Sequence, residues 1–353
     1  MNKDLSFYKG KRVLITGHTG FKGSWLTRIL ENAGAEVVGY SLEPETAPAL
    51  FNLAHVEEGM LHSEIGDVRD LEKLLWIFNC YKPEIVFHLA AQPIVRTSYE
   101  KPVETFDINV MGTVNVLEAV RRTGTTKSVL NVTTDKVYKN KEWYWGYREC
   151  EELGGYDPYS SSKAVSEEVT RSYINSFWKN DVVRVSTARA GNVIGGGDFA
   201  KDRIIPDCVR AAMDKTDIFV RNPNSVRPFQ HVLEPLFAYL LIAKMQQKDA
   251  KYVGNYNVGP DETDCVTVGK IATMFCDSWQ DGIKWTTKAI DGPHEANFLK
   301  LDCSKIKSEL GWSPTWNIEK AIEKTVEFSK IYATGGDVSS CMNKQIREFI
   351  GGK

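Results

Sequence analysis

Short apolar runs alternate with amphipathic stretches through the first half of the chain. Arg12 to Thr16 holds Val13-Leu14-Ile15, too short for a helix and apolar without alternation, which predicts a strand buried on both faces. Phe21 to Ala33 follows as a helix that stops near Gly34. Glu36 to Tyr40 predicts a second strand and Met60 to Ile65 a third; Ile85 to Leu89 and Val129 to Val132 predict two more. Between those last two, Val110, Val114, Leu117 and Val120 recur at helical spacing within one helix from Val103 to Arg122. Strands and helices in this alternation give a parallel sheet with helices on both faces.

That pattern is a Rossmann-type, doubly wound α/β fold. Regularity fades after Val185. Gly195-Gly196-Gly197-Asp198 is a loop, Arg221 to Ser225 is a turn cluster, and Pro260, Pro293 and Pro314 punctuate shorter elements. This part reads as a smaller, mixed α/β C-terminal lobe that takes the substrate and closes over the first. The stretch Phe229 to Val258 reads again as helix then strand and returns to the main sheet. The expected division is therefore 1–185 plus 229–258 for the nucleotide-binding domain, and 186–228 plus 259–353 for the substrate lobe. No internal repeat or low-complexity tract is visible, and Gly351-Gly352-Lys353 reads as a frayed tail.

Charge narrows the partners. With 44 Lys and Arg against 46 Asp and Glu, the 353-residue chain carries a formal charge of −2. Bulk electrostatics then supports neither a nucleic acid nor a membrane partner, while leaving room for a local basic pocket. Cys80, Cys150, Cys208, Cys265, Cys276, Cys303 and Cys341 are odd in number, scattered, and never Cys-x-x-Cys. They imply no disulfide framework and no metal site, and fit reduced thiols in the cytoplasm. No apolar stretch precedes the first strand, so no signal peptide is visible. The most apolar segment, Val232 to Met245, contains Glu234, Pro235 and Lys244 and reads as a core helix. Asn131-Val132-Thr133 fits a glycosylation acceptor but falls on a strand expected to be buried.

The chemistry begins at Thr16-Gly17-His18-Thr19-Gly20-Phe21-Lys22-Gly23, between the first strand and the first helix. Gly17 permits a tight turn, Gly20 lets backbone approach a pyrophosphate, and Gly23 lets the helix pack closely on the sheet. The helix N-terminus offers free N–H groups and a positive dipole end to phosphate. Gly17, Thr19, Gly20, Phe21 and Gly23 are thus the expected contacts of a dinucleotide cofactor. After the second strand the chain reads Tyr40-Ser41-Leu42-Glu43, with no basic residue close by. This favours NAD over NADP, with Ser41 as the expected ribose contact because Glu43 stands slightly far along. Asp67-Val68 either meets the adenine or, as a loop aspartate, caps the helix from Leu71.

Tyr159-Ser160-Ser161-Ser162-Lys163 places a tyrosine and a lysine on one helix face. A neighbouring ammonium and a positive nicotinamide ring would both favour the phenolate, making Tyr159 a base. Tyr-x-x-x-Lys is common by chance; the glycine turn upstream and Thr134, able to bond the same substrate oxygen, lend it weight.

The set Thr-Gly-x-x-Gly-x-x-Gly, Thr134 and Tyr159-x-x-x-Lys163 resembles the extended short-chain dehydrogenase/reductase family, from about Gly10 to about Ile322. Further matching segments are His88-Leu89-Ala90-Ala91-Gln92, Asp107 to Gly112, Arg189 to Val193 and Val226 to Val232. Within the family the chain is similar to the sugar-nucleotide 4,6-dehydratases. These generally carry Thr-Asp-Glu where this chain has Thr134-Asp135-Lys136. That departure, with Gly196-Gly197-Asp198 and His294-Glu295, resembles the CDP-D-glucose 4,6-dehydratases as a group.

The resemblance implies conversion of CDP-glucose to CDP-4-keto-6-deoxyglucose and water, by oxidation at C4, elimination across C5 and C6, and hydride return to C6. Asp135 becomes the acid, protonated through burial. Lys136 becomes the base at C5, a role that needs a neutral amine; its other reading is an exposed loop cation. Leu89, Ala90 and Ala91 join Tyr159 and Lys163 as cofactor contacts. Asn192 and Arg227 would hold the diphosphate, and Gln92, Arg96, Arg203 and His294 the rest of the substrate. Trp143, Tyr144, Trp145 and Tyr147 either pack as core or shape the sugar pocket. The helices Val103 to Arg122 and Tyr159 to Phe177 are where such chains form a homodimer or homotetramer. A C4-epimerase, or a dehydratase of another sugar nucleotide, is the alternative; an epimerase would not need Asp135 and Lys136.

Overall fold

The computed structural model of the chain describes residues 3–179, 183–287 and 298–351. Seven strands lie parallel in one sheet: β1 (Arg12–Thr16), β2 (Glu36–Ser41), β3 (His62–Ile65), β4 (Ile85–His88), β5 (Ser128–Thr134), β6 (Arg184–Ala190) and β7 (Asn255–Val258). Their order across the sheet is β7-β6-β5-β4-β1-β2-β3. The register sets Val13 beside Val37 on one side and Ile85 on the other. The winding reverses between β1 and β4, so a crevice opens at their carboxyl ends, where ligands of such sheets bind.

Both faces are covered, which is why the strands read as unbroken apolar runs. Val13 and Ile15 pack with Trp25, Leu26, Ile29, Leu236 and Phe237 on one face; Leu14 packs with Leu74, Ile77, Phe78, Val116 and Val120 on the other. The strand β7 follows the helix Leu233–Lys248 and pairs with β6, so the returning segment lies where the sequence puts it.

Two elements differ from expectation. β5 runs past Val132 to Thr134 and is buried along its whole length. Its polar residues disguise it, and the fold supplies their partners. The Asn131 amide donates to Ser166 Oγ at 3.0 Å and Thr170 Oγ1 at 2.9 Å, and Thr133 Oγ1 donates to Glu167 Oε1 at 2.6 Å. Asn131, fully buried, is therefore no glycosylation acceptor. The helix expected from Val103 to Arg122 is three pieces: Pro102–Phe106, a wide π turn Asp107–Met111, and Gly112–Thr123. The π turn carries Asn109, whose side chain bonds both backbone groups of Gln92 and Ser162 Oγ.

A second core, with Ile205, Cys208, Phe229, Ile271, Phe275 and Ile322, joins the helices Ile204–Met213, Val268–Trp279 and Ile318–Ala333. Three short strand pairs accompany them, among them Val226–Pro228 against Cys265–Thr267 and Ile218–Phe219 against Trp285–Thr286. Ile204, Ile205, Phe219 and Val268 of these elements line one cavity with Phe21, Thr134 and Ala190 at the carboxyl ends of the sheet's strands. Among the described residues no helix is long and apolar enough to cross a membrane, and no metal-ligand cluster occurs.

Candidate active site

The glycine turn is built by steric exclusion. Gly17 has φ 79°, and a Cβ there would lie 2.8 Å from Ala90 N. At Gly23 a Cβ would come within 2.1 Å of Gly17 O, so the helix start is pressed onto the turn itself. Gly20 differs: its Cβ would meet only Gly17 O, at 3.4 Å, which leaves its outer side open. The helix Phe21–Asn32 begins there with no side-chain cap, so its first N–H groups face that open side. This cradle suits a pyrophosphate. Beside it, Thr19 Oγ1 lies 2.9 Å from Ser41 Oγ and donates to Leu42 O, while Glu43 is exposed. Leu89 and Ala90 are drawn in by Thr16, whose O and Oγ1 accept from their N–H groups; Ala91 follows them, half-buried. Asp70 caps the helix from Leu71, accepting from Lys73 N, and Asp67 does not. Asp67 instead accepts from the backbone and guanidinium of Arg69, which holds its carboxyl below the usual range. Val68 is buried beneath it.

At the end of β5 the chain folds into a short turn, Asp135–Val137, pinned by Lys136 N donating to Thr134 Oγ1 at 3.3 Å. Thr134 Oγ1 donates to Asp135 Oδ1 at 3.0 Å, and Tyr159 lines the same cavity as both. Tyr159 and Lys163 stand one turn apart on the helix Pro158–Phe177, which Asp157 caps through Ser160 N. Asp135 is 1 % exposed, and its Oδ2 has no hydrogen-bond partner. Burial raises its carboxyl above the usual range, against the pull of Lys136, the Thr134 bond, Arg227 and Lys22. Gly191 makes the burial possible, because a Cβ there would sit 2.3 Å from Asp135 Oδ2.

Tyr159 departs from the simple expectation. Burial pushes its phenol up to about 12, opposed by Thr134 and by Arg203. Lys163 Nζ donates to Val132 O at 2.8 Å, deep against β5, and burial holds its ammonium down at about 8. Arg203, from a segment distant in the chain, also favours the phenolate.

A buried polar network backs this corner. Arg189 and Glu167 form an ion pair with both partners nearly sealed from solvent. Arg189 Nη1 also donates to Tyr138 Oη at 2.8 Å, and Tyr138 Oη donates to Asn257 Oδ1 at 2.6 Å. β5, β6 and β7 are thereby locked to the segment that carries Lys136.

A family model described as GDP-mannose 4,6 dehydratase matches residues 14–325, most of the chain. The chain belongs to that family. It is 46% identical, over 98% of both chains, to a CDP-glucose 4,6-dehydratase of Salmonella typhimurium. Among solved structures it resembles a UDP-glucose 4-epimerase of Thermus thermophilus in complex with NAD, at 24% identity and TM-score 0.78, over 90% of this chain and 99% of that one. It also resembles a dTDP-glucose 4,6-dehydratase of Bacillus anthracis in complex with NAD, at 21% identity and TM-score 0.76, over 93% and 99%.

In this member of the dehydratase family a cavity of about 830 Å³ is lined by residues of the main sheet's loops and of the second core. Thr134, Asp135, Lys136 and Tyr159 line it together with Arg96, Asn192, Arg203 and Arg227. Lys136, half-buried, faces this space and is not a loop cation in open solvent. Gln92 does not line it. Its amide is spent on its own loop, accepting from Ile94 N at 2.6 Å and donating to Thr105 Oγ1 at 2.9 Å. His294 lies outside the described residues. The aromatic cluster packs as a small core of its own: Trp143 stacks on Tyr147, Tyr147 on Tyr138, while Tyr144 and Trp145 are exposed, and none of the four lines the cavity.

Lys22 was hidden in the glycine motif. It reaches the cavity from the first helical turn. Burial and Arg203 hold its ammonium down at about 8, against Asp135 and Asp198. The available signal was a cation at the start of a helix, where the dipole disfavours it and some other use must retain it.

Proposed function

We infer that this chain converts CDP-glucose to CDP-4-keto-6-deoxyglucose and water, using NAD. The observation that carries the reading is the pair Asp135 and Lys136 at the end of β5, sharing one cavity with Thr134 and Tyr159. Simple oxidation or epimerisation at C4 needs only the threonine and the tyrosine. An acid and an amine beside them are what elimination adds. The near-full-length likeness to a CDP-glucose 4,6-dehydratase supports the same chemistry.

The glycine cradle would hold the cofactor's pyrophosphate, Ser41 its ribose, Asp67 and Val68 its adenine, and Lys163 its second ribose. Held there, NAD would supply the hydride acceptor for C4 and the donor for C6. Tyr159 removes the O4 proton, with Thr134 bonded to the same oxygen. The C4 carbonyl acidifies the C5 hydrogen. Lys136 takes that proton, and Asp135, kept protonated by burial, gives its own to the departing C6 hydroxyl. A proton returned to C5 completes the product. Arg227, Asn192 and Arg203 hold the diphosphate.

A homodimer or homotetramer follows from the same reading. The pieces around Pro102–Met111 and the helix Pro158–Phe177 expose Val103, Phe106, Met111 and Val165, an apolar face of the kind that pairs. A cytoplasmic location is supported by seven free cysteines.

The test is turnover of CDP-, UDP-, dTDP- and GDP-glucose by the purified protein, read as the 4-keto sugar's absorbance in strong base, with no net reduced cofactor. Lys136→Ala should still oxidise C4 and reduce bound cofactor in a single turnover, yet form no dehydrated product. Full dehydration by that variant would remove Lys136 from the role of base.

A further inference from the structure

Beneath the reacting end of β5 lies a polar group that the reaction scheme leaves unused. The helix Leu233–Lys248 packs against one face of β5 and β6 and is pinned at its far end. There Ser128 Oγ donates to Ala243 O at 3.1 Å, and Gln246 Nε2 donates to Val129 O at 3.0 Å. Both contacts are at the start of β5. At the other end Val232 N donates to Ile194 O, beyond the end of β6, so the helix runs from the carboxyl ends of the strands to their amino ends. Tyr239 stands one turn nearer the site than Ala243. A helical side chain leans toward the helix N-terminus, here toward the carboxyl ends of the strands. Its ring belongs to one core with Leu130, Val132, Ala188 and Ala190. Alternation along β5 continues that face from Leu130 and Val132 to Thr134, which bonds Asp135.

Tyr239 is fully buried, and among the described residues its hydroxyl has no hydrogen-bond partner. A buried hydroxyl left unpaired is costly, and phenylalanine would fill the same space without that cost. Asp135 Oδ2 is the complementary atom, an acceptor sealed from solvent and likewise unpaired. Burial, then the charges of Tyr159 and Asp135, push the Tyr239 phenol above its usual range, so it keeps a hydrogen to donate.

We propose that Tyr239 is a positioning residue for the elimination, its hydroxyl donating to Asp135 Oδ2 as that carboxyl gives up its proton. This rests on the dehydratase reading above. When Asp135 protonates the departing C6 hydroxyl, the acid's O–H bond breaks, water leaves, and one negative charge spreads over two carboxylate oxygens. Thr134 Oγ1 already donates to Oδ1. Tyr239 supplies the donor for Oδ2, directly or across one buried water, and retains its own proton throughout. The other groups facing Asp135 are Lys136 on its own turn, Lys22 from the helix Phe21–Asn32, Arg227 from the strand Val226–Pro228 and Tyr159 from the helix Pro158–Phe177. None of them hydrogen-bonds Oδ2. Oxidation at C4 puts no charge on Asp135 and makes no use of Tyr239.

The experiment mixes CDP-glucose with NAD-loaded enzyme in excess and follows reduced cofactor as it forms and as hydride returns to C6. Tyr239→Phe should form it within about twofold of the wild-type rate and lose it about tenfold to 100-fold more slowly. Thermal melts confirm the fold of each variant. Two further readings separate positioning from packing. Donation to the carboxylate favours its ionised form, so Tyr239→Phe should move the upper pH limit of dehydration to higher pH. In Asp135→Asn the amide acquires no charge, so adding Tyr239→Phe should change the residual rate less than about twofold. Wild-type decay in Tyr239→Phe, slower formation in place of slower decay, an unmoved pH limit, or a penalty that persists in full beside Asp135→Asn would remove Tyr239 from this role. A wild type that forms no reduced cofactor with any sugar nucleotide would sink the dehydratase reading instead.

Discussion

At Gly191 a single methyl group tests the reaction scheme. A Cβ there would lie 2.3 Å from Asp135 Oδ2, 3.0 Å from Asp135 Cγ and 2.8 Å from Pro228 Cγ. Pro228 is buried in a strand held by pairing with Cys265–Thr267. The Asp135 Oδ2 atom has no hydrogen bond to hold it, so the carboxylate moves instead. Restoring ordinary contact needs a shift of about 1 Å. A displacement of that size in a reacting group costs about 100-fold in rate, or about 2.7 kcal/mol of barrier. Overpacking at the same spot costs about 1–3 kcal/mol of stability. Gly191→Ala should therefore lower kcat about 100-fold with KM within about twofold, because the acid is misplaced and the diphosphate contacts are not. Two assays read it: 4-keto product in strong base, and rapid mixing with enzyme in excess, in which reduced cofactor should accumulate. A variant that turns over within about threefold of wild type at equal thermal stability would show that Asp135 is not held as the acid.

The remaining expectations concern one activity and one stability. Tyr159→Phe should lose oxidation at C4, lowering turnover by about 10² to 10⁴-fold, and normal cofactor reduction in single turnover would contradict its role as base. Glu234 is fully buried at the start of the helix Leu233–Lys248, where Oε1 accepts from Thr315 N and Trp316 N and burial pushes the carboxyl up to about 7. An acid whose folded value is raised holds a proton that the unfolded chain has released, so its stability contribution fades as pH climbs through about 7. Between about pH 5 and pH 8 wild type should lose on the order of 3 kcal/mol relative to Glu234→Gln, read as a crossing or narrowing of their melting temperatures; a gap independent of pH would remove Glu234 as the cause.

The order of elements and the glycine cradle were legible in the chain itself, because they depend on rules that act within a few residues. Apolar runs such as Val13-Leu14-Ile15 fix strands, Gly17 and Gly23 mark places where a side chain meets backbone, and Tyr159 and Lys163 share a face through helical spacing. Asp135 was legible too as a carboxylate at the end of a buried strand, and the structure buries it beside the cavity. Other features depended on which distant segment arrives. β5 runs to Thr134 only because Ser166, Glu167 and Thr170 on a helix far along the chain satisfy its polar residues. Gln92 turns inward because Asn109, presented by a π turn, occupies its backbone. Arg203, from a distant segment, offsets part of the burial of Tyr159, and Lys22 enters the cavity from the glycine turn. Desolvation and charge at a site are set by everything that packs around it. Periodicity tells a residue which way to face, and only the assembled fold tells it what it will meet there.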